Sequence, residues 1–245
     1  MSWTRKILFS VILMAAAVAV LPGTGSAIEK VEGEAELLPV IDAAYIKGIE
    51  YLIPQQHADG SFGTVQKDVG ITGLAAAAMA ELPPAQRKKY SDHIQKAVKY
   101  IVDSQNKDGS FGNGKGLANY WTSISVMALQ TVDAEKYKKE IREGRKYLSK
   151  TQFSEDYRGF SKDDWQYGGF DYDSNEKEGV ERNAGPDLNN TGFALESLDQ
   201  SGLSKDSEVW KRAVYFLKRC QNSSEVSDLP KIMEKKGKKI KLTDD

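Results

Sequence analysis

Few residue types in this chain are spaced for chemistry. Its two histidines, His57 and His93, stand too far apart to form a local metal motif, and the single cysteine, Cys220, excludes an internal disulfide framework and any cysteine-rich zinc module. Cys220 reads as a buried apolar thiol near a helix end. Asp171-x-Asp173-x-Asn175 has the opening spacing of a calcium loop. It has Glu176 at the sixth position, where glycine belongs, and Arg182 where the bidentate glutamate belongs. No phosphate-binding glycine loop or nucleophile elbow is present. No metal ligand set and no cofactor is expected.

Two segments keep a functional reading. In Asp187-Leu188-Asn189-Asn190-Thr191, Asp187 is the one side chain able to hold a transferable proton, because Asn189 and Asn190 carry amides that do not ionise. Asp and Asn just before a helical run also read as an N-cap, with Pro186 at the entry. The stretch 153–186 is rich in acids and aromatics. Trp165, Tyr167, Phe170 and Tyr172, with Tyr120 and Trp121 nearby, are the candidate ligand platform.

The elements that must position these residues come from repetition. Tyr51-Leu52, Gln56 and Asp59-Gly60-Ser61-Phe62-Gly63 return 49 residues later as Tyr100-Ile101, Gln105 and Asp108-Gly109-Ser110-Phe111-Gly112. A third copy opens at Tyr147-Leu148 with Gln152, its glycine–aromatic end displaced to Gly168-Gly169-Phe170. A fourth opens at Phe216-Leu217 with Gln221 and then loses the glycine turn. Between them recur Thr72-Gly73-Leu74, Thr122-Ser123-Ile124 and Thr191-Gly192-Phe193, the first two opening segments nearly free of charge. Ile46, Ile49, Leu52 and Ile53, like Ile94, Ala97, Val98, Ile101 and Val102, follow helical spacing with charged outer faces. Each repeat therefore pairs a polar outer helix with a buried, small-residue inner helix, and neighbouring pairs must stack. Helices are predicted at 41–55, 70–82, 91–104, 119–133, 138–151, 190–202 and 207–221.

The aromatic-Leu/Ile-x3-Gln-x2-Asp-Gly-Ser-Phe-Gly pattern resembles the QW repeat of squalene/hopene cyclases and prenyltransferase β subunits. Phe62 and Phe111 stand where that family often has Trp. The resemblance runs from Ile41 to Gln221, about three-quarters of the chain. It implies an all-α fold, an α/α toroid that is incomplete at about half its helix pairs. It also implies structural roles at the repeat junctions for Gln56, Asp59, Gly60, Phe62, Gln105, Asp108, Gly109, Phe111, Gln152 and Gln221. Hopene cyclases carry Asp-x-Asp-Asp-Thr at an inner-helix start, its central acid protonating the polyene. Aligned on Thr191, Asp187 takes the first acidic position, and Asn189 and Asn190 replace the other two.

Composition bounds the remainder. The chain has 245 residues and a net charge of −1, with Lys+Arg 34 against Asp+Glu 35, which excludes a basic nucleic-acid binder. Arg5 and Lys6, the apolar run Ile7–Leu21 and the small residues Gly25 and Ala27 form a secretory signal over 1–27. The run is shorter than the roughly 20 residues a membrane span needs. A secreted or periplasmic protein is expected, membrane-anchored if the signal is uncleaved. Residues 28–40 read as a linker, 41–222 as the repeat domain, and 223–245 as a basic, disordered tail.

Two functions compete on this sequence. One is an exported, non-catalytic, bacterial-type member of that repeat family, binding a hydrophobic small molecule or protein partner on its concave inner-helix face, with self-association or a missing C-terminal half completing the arc. The other is a terpenoid-cyclase-like or prenyl-transfer enzyme with a degenerate acidic motif.

Overall fold

A computed structural model describes residues 34–63, 67–112, 116–172 and 185–242 of the chain. The expected signal at 1–27 lies outside them, as do Asp173 and Asn175 of the calcium-like spacing. Among the described residues the fold is all-α, without strands. The helices are α1 (Glu34–Leu52, extended by a 3-10 turn Ile53–Gln55), α2 (Val69–Ala80), α3 (Pro84–Lys89), α4 (Ser91–Asp103), α5 (Ala118–Asp133), α6 (Lys138–Thr151), α7 (Leu188–Gln200), α8 (Glu208–Arg219) and α9 (Leu229–Lys235). None of them is long and apolar enough to cross a membrane.

Packing sorts the helices into two layers. The small-residue helices α2, α5 and α7 lie side by side, with α5 packed between the other two. Polar-faced helices back them: α1 packs on α2, α4 on α2 and α5, and α6 on α5 and α7. From Ala118 to Leu129, α5 is buried at every position except Tyr120. A helix enclosed on all sides must be apolar all round or satisfy its own polar groups. Its Thr122 and Ser123 hydroxyls do the latter, donating to Ala118 O and Asn119 O one turn back.

The stack is held by one junction made three times. The amide nitrogen of Gln56 donates to Gly60 O of its own turn and to His93 O on α4, the next outer helix, at 3.0 and 2.9 Å. Gln105 does the same to Gly109 O and Glu140 O, and Gln152 to Gly168 O and Val209 O. The phenylalanine that follows each turn donates its backbone N–H to an inner-helix threonine: Phe62 to Thr72, Phe111 to Thr122 and Phe170 to Thr191, all near 3 Å. All three rings are buried. Asp59 and Asp108 brace the first two turns, each accepting from the backbone N–H and hydroxyl of the serine two residues on. Lys67 hydrogen-bonds the Asp59 carboxylate and, with Ser61, holds its pKa at about 2.

The third junction keeps this geometry although twelve extra residues lie inside its turn, between Gln152 and Gly168. The displaced glycine–aromatic copy is therefore the structural equivalent of the first two. The insertion folds on itself. Phe153 and Phe160 stack at 4.8 Å, Arg158 lies over Phe153 and Tyr157, and Tyr167 meets Tyr215 of α8 edge-on.

Two boundaries and the burial of one residue differ from the sequence expectation. The linker at 28–40 gives way to helix from Glu34, seven residues before the predicted start, and Pro39, the sixth residue of α1, costs that helix one intrahelical donor. Leu229–Lys235, within the expected disordered tail, forms α9 with Ile232 buried. The buried guanidinium of Arg219 holds it there, paired to both oxygens of Asp228 at 2.7 and 2.9 Å and donating to Lys162 O and Asp164 O of the insertion. Lys235 and Lys236 add ion pairs to Asp163 and Asp164. Cys220 is exposed, not buried: it is the C-cap of α8, where the stripe Val209, Ala213, Phe216 runs off the helix end.

The turn glycines show why no other residue fits. Gly60, Gly109 and Gly168 all have φ near +90°, and a Cβ on them would lie 2.2, 2.4 and 1.9 Å from the carbonyl oxygens of Lys96, Glu143 and Arg212. Gly168→Ala should therefore cost more than about 3 kcal/mol, since backbone strain adds to forced separation from α8. Gly159, also at positive φ but with open space around it, should cost only about 1 kcal/mol as Ala. Urea unfolding of the two variants checks this; equal losses contradict the close-approach account.

Candidate functional site

The N-terminal ends of α2, α5 and α7 carry a set of exposed and half-buried apolar groups. Tyr120, on the first turn of α5, is its centre. Its ring meets Phe193 of α7 edge-on at 5.7 Å and Tyr172 at 6.3 Å, and it lies against Gly70 of α2, where a Cβ would come within 2.9 Å. Burial pushes the Tyr120 phenol pKa up, and the charge of Asp68 adds to the shift. Tyr172 is held by its own backbone, its carbonyl accepting from Asn119 N–H, while the Asn119 side chain donates to Asp171 O. On the exposed faces of the flanking helices stand Ile71 and Leu74 of α2 and Leu188 of α7, at 47, 37 and 56% exposure.

Asp187 and Asp68 begin α7 and α2 in the same way. Asp187 Oδ1 accepts Asn190 N–H at 2.8 Å and Oδ2 accepts the Asn190 side-chain amide at 2.5 Å. Asp68 Oδ1 caps Ile71 N–H and Oδ2 accepts the Trp121 indole N–H at 3.1 Å. Both carboxylates thus have both oxygens engaged at a helix start. Asn189 is exposed. Asn190 is buried, and its side-chain carbonyl, like that of Asn119, has no hydrogen-bond partner.

Three of the six aromatic candidates are packing residues. Phe170 is fully buried because it is the junction phenylalanine of the third turn. Tyr167 is buried against Tyr215, and Trp121 is buried with its indole spent on the Asp68 cap. Trp165 is half-buried and packs over Gly185, which leaves Tyr120 and Tyr172 in the cluster. The junction set holds at Gln56, Gln105 and Gln152, whereas Gln221 lies exposed beyond α8 with no glycine turn after it. Sequence reasoning passed over Ile71, Leu74 and Leu188. An exposed apolar residue on an otherwise apolar helix carries no pattern, and only packing tells the two faces apart.

Among the described residues no three His, Cys, Asp or Glu side chains are grouped to hold a metal ion. No protein-family model matches the chain, and no curated protein matches it.

If Asp187 is a cap, Asp187→Ala should cost about 1 kcal/mol, within the usual range for lost N-caps. Asn189→Ala, on an exposed side chain, should stay within about 0.5 kcal/mol. Urea midpoints decide the matter, and an Asp187→Ala variant as stable as the parent removes the cap.

Proposed function

We propose that this protein is an exported, non-catalytic repeat scaffold of the squalene/hopene cyclase and prenyltransferase β-subunit type. In this reading its stacked helix pairs form an open, incomplete α/α toroid. The inner-helix face takes up a hydrophobic small molecule or an apolar segment of a protein partner. The observation that carries the proposal is the Tyr120 cluster, with Tyr172, Ile71, Leu74 and Leu188 exposed at one end of the inner layer. Exposed apolar patches of this kind mark binding surfaces.

The cyclase alternative has less support. An alkene-protonating acid needs a carboxyl whose proton is free to leave toward the substrate. Both Asp187 oxygens accept hydrogen bonds from Asn190, and neither amide in the motif can take its place.

The test is the cargo. Protein purified from its native host and extracted with organic solvent should release a hydrophobic compound, or retain a polypeptide, that mass spectrometry identifies. An Ile71→Ser/Leu188→Ser variant should bind it about thirtyfold more weakly or worse, since each substitution loses apolar contact worth more than about 1 kcal/mol. Equal cargo in both proteins, or none in either, contradicts the reading. Incubation with squalene should give no cyclic product, and a cyclic triterpene from the unaltered protein establishes the enzyme instead.

A further inference from the structure

The three junctions obey one register. The carbonyl that receives each glutamine belongs to His93, Glu140 or Val209, and each of these stands twelve residues before the glutamine of its own repeat. The turn glycine lies against the carbonyl three residues further on, at Lys96, Glu143 or Arg212. The next position carries a small buried residue, Ala97, Gly144 or Ala213, which lets the turn approach. At Gly144 the atoms met there include the ring of Phe111 from the preceding turn.

Counting back from Gln56 by the same rule gives Ala44, Lys47 and Gly48 on α1. Among the described residues that face is uncovered: Ala44, Lys47 and Gly48 are exposed, and none of their neighbours comes within 4 Å of a Cβ placed on Gly48. Tyr51 is 71% exposed, whereas its counterparts Tyr147 and Phe216 are buried. An apolar groove of about 400 Å³, lined by Ile41, Tyr45, Leu52 and Ala78, runs beside it.

We propose that this face of α1 is a docking site for a repeat of the same build, a glutamine–glycine–aromatic turn with its helices, presented by another polypeptide. The site continues the row of three interfaces within the chain, which define the chemistry of its occupant. A second copy is the weaker candidate: the described turns, after Gln56, Gln105 and Gln152, are already engaged, and Gln221 has no glycine turn. This assignment is independent of the Tyr120 face.

The probe is a carrier-fused copy of residues 91–136, comprising α4, its turn and α5, mixed with the full chain. Saturable one-to-one binding is expected by calorimetry, abolished by Gln105→Ala in the probe or Gly48→Leu in the full chain. Because the isolated probe can fail to fold, a second arm joins the same 91–136 segment directly ahead of Ile41. There Gly48→Leu should lower the melting temperature, while in the natural chain it should be tolerated. A positive result in either arm, with its Gly48→Leu effect, supports the assignment. Failure of both arms overturns it, as does a dimer of the natural chain that Gly48→Leu dissociates, which gives the face to a second copy.

Discussion

A glutamine side chain placed between two backbone carbonyls, one in its own turn and one at the start of the next outer helix, is the contact on which the remaining structure depends. Helix pairs of this size bury too little apolar surface to stand alone, so stability resides in the interfaces between them. The amide supplies one donor to the turn carbonyl, which no backbone N–H among the described residues reaches, and the other to a first-turn helix carbonyl as a second bond beside its intrahelical one. Removing such a donor strands the turn carbonyl, which costs more than an ordinary hydrogen bond contributes. The glycine at positive φ and the phenylalanine docked on an inner-helix threonine then follow, because only that turn brings the amide within reach.

Repetition of this contact explains the asymmetry of the stack. After the third junction the chain departs from the pattern. The insertion at 153–167 and helix α9 close over α8, latched by Arg219 to Asp228 and to two carbonyls of the insertion. The guanidinium holds the Asp228 carboxyl below the ordinary carboxylate range. The stability contributed by this pair is therefore present above that range and lost as the pH falls through the lowered value. The carboxylate is half-exposed, so solvent screens much of the attraction. The cap thus sits at the C-terminal end of the stack, while among the described residues the uncovered face is on α1.

Much of this was legible in the sequence because a junction made three times leaves three copies of its residues. Gln56 and Gln105 stand at the same offset from their glycines, Gln152 repeats them with its glycine displaced by twelve residues, and all seven predicted helices are present with ends shifted by up to seven residues. What escaped has no periodicity to read. Helices α3 and α9 are each about two turns or less and begin beside Pro84 and Pro230, so tertiary contacts rather than intrinsic propensity define them. Tyr167 and Phe170 looked like a ligand platform because an aromatic-rich loop reads alike whether its rings face solvent or core. Ile71 and Leu188 drew no notice for the converse reason.

The central claim is that the glutamine bridges, not helix propensity or general apolar burial, hold one pair to the next. Urea unfolding of Gln56→Ala, Gln105→Ala, Gln152→Ala and Gln221→Ala measures it directly. The first three should each lose about 1–3 kcal/mol, with Gln152, the most buried, losing most, while Gln221→Ala stays within about 0.5 kcal/mol of the parent. Four variants of equal stability, or a loss at Gln221 matching that at Gln152, would contradict the account.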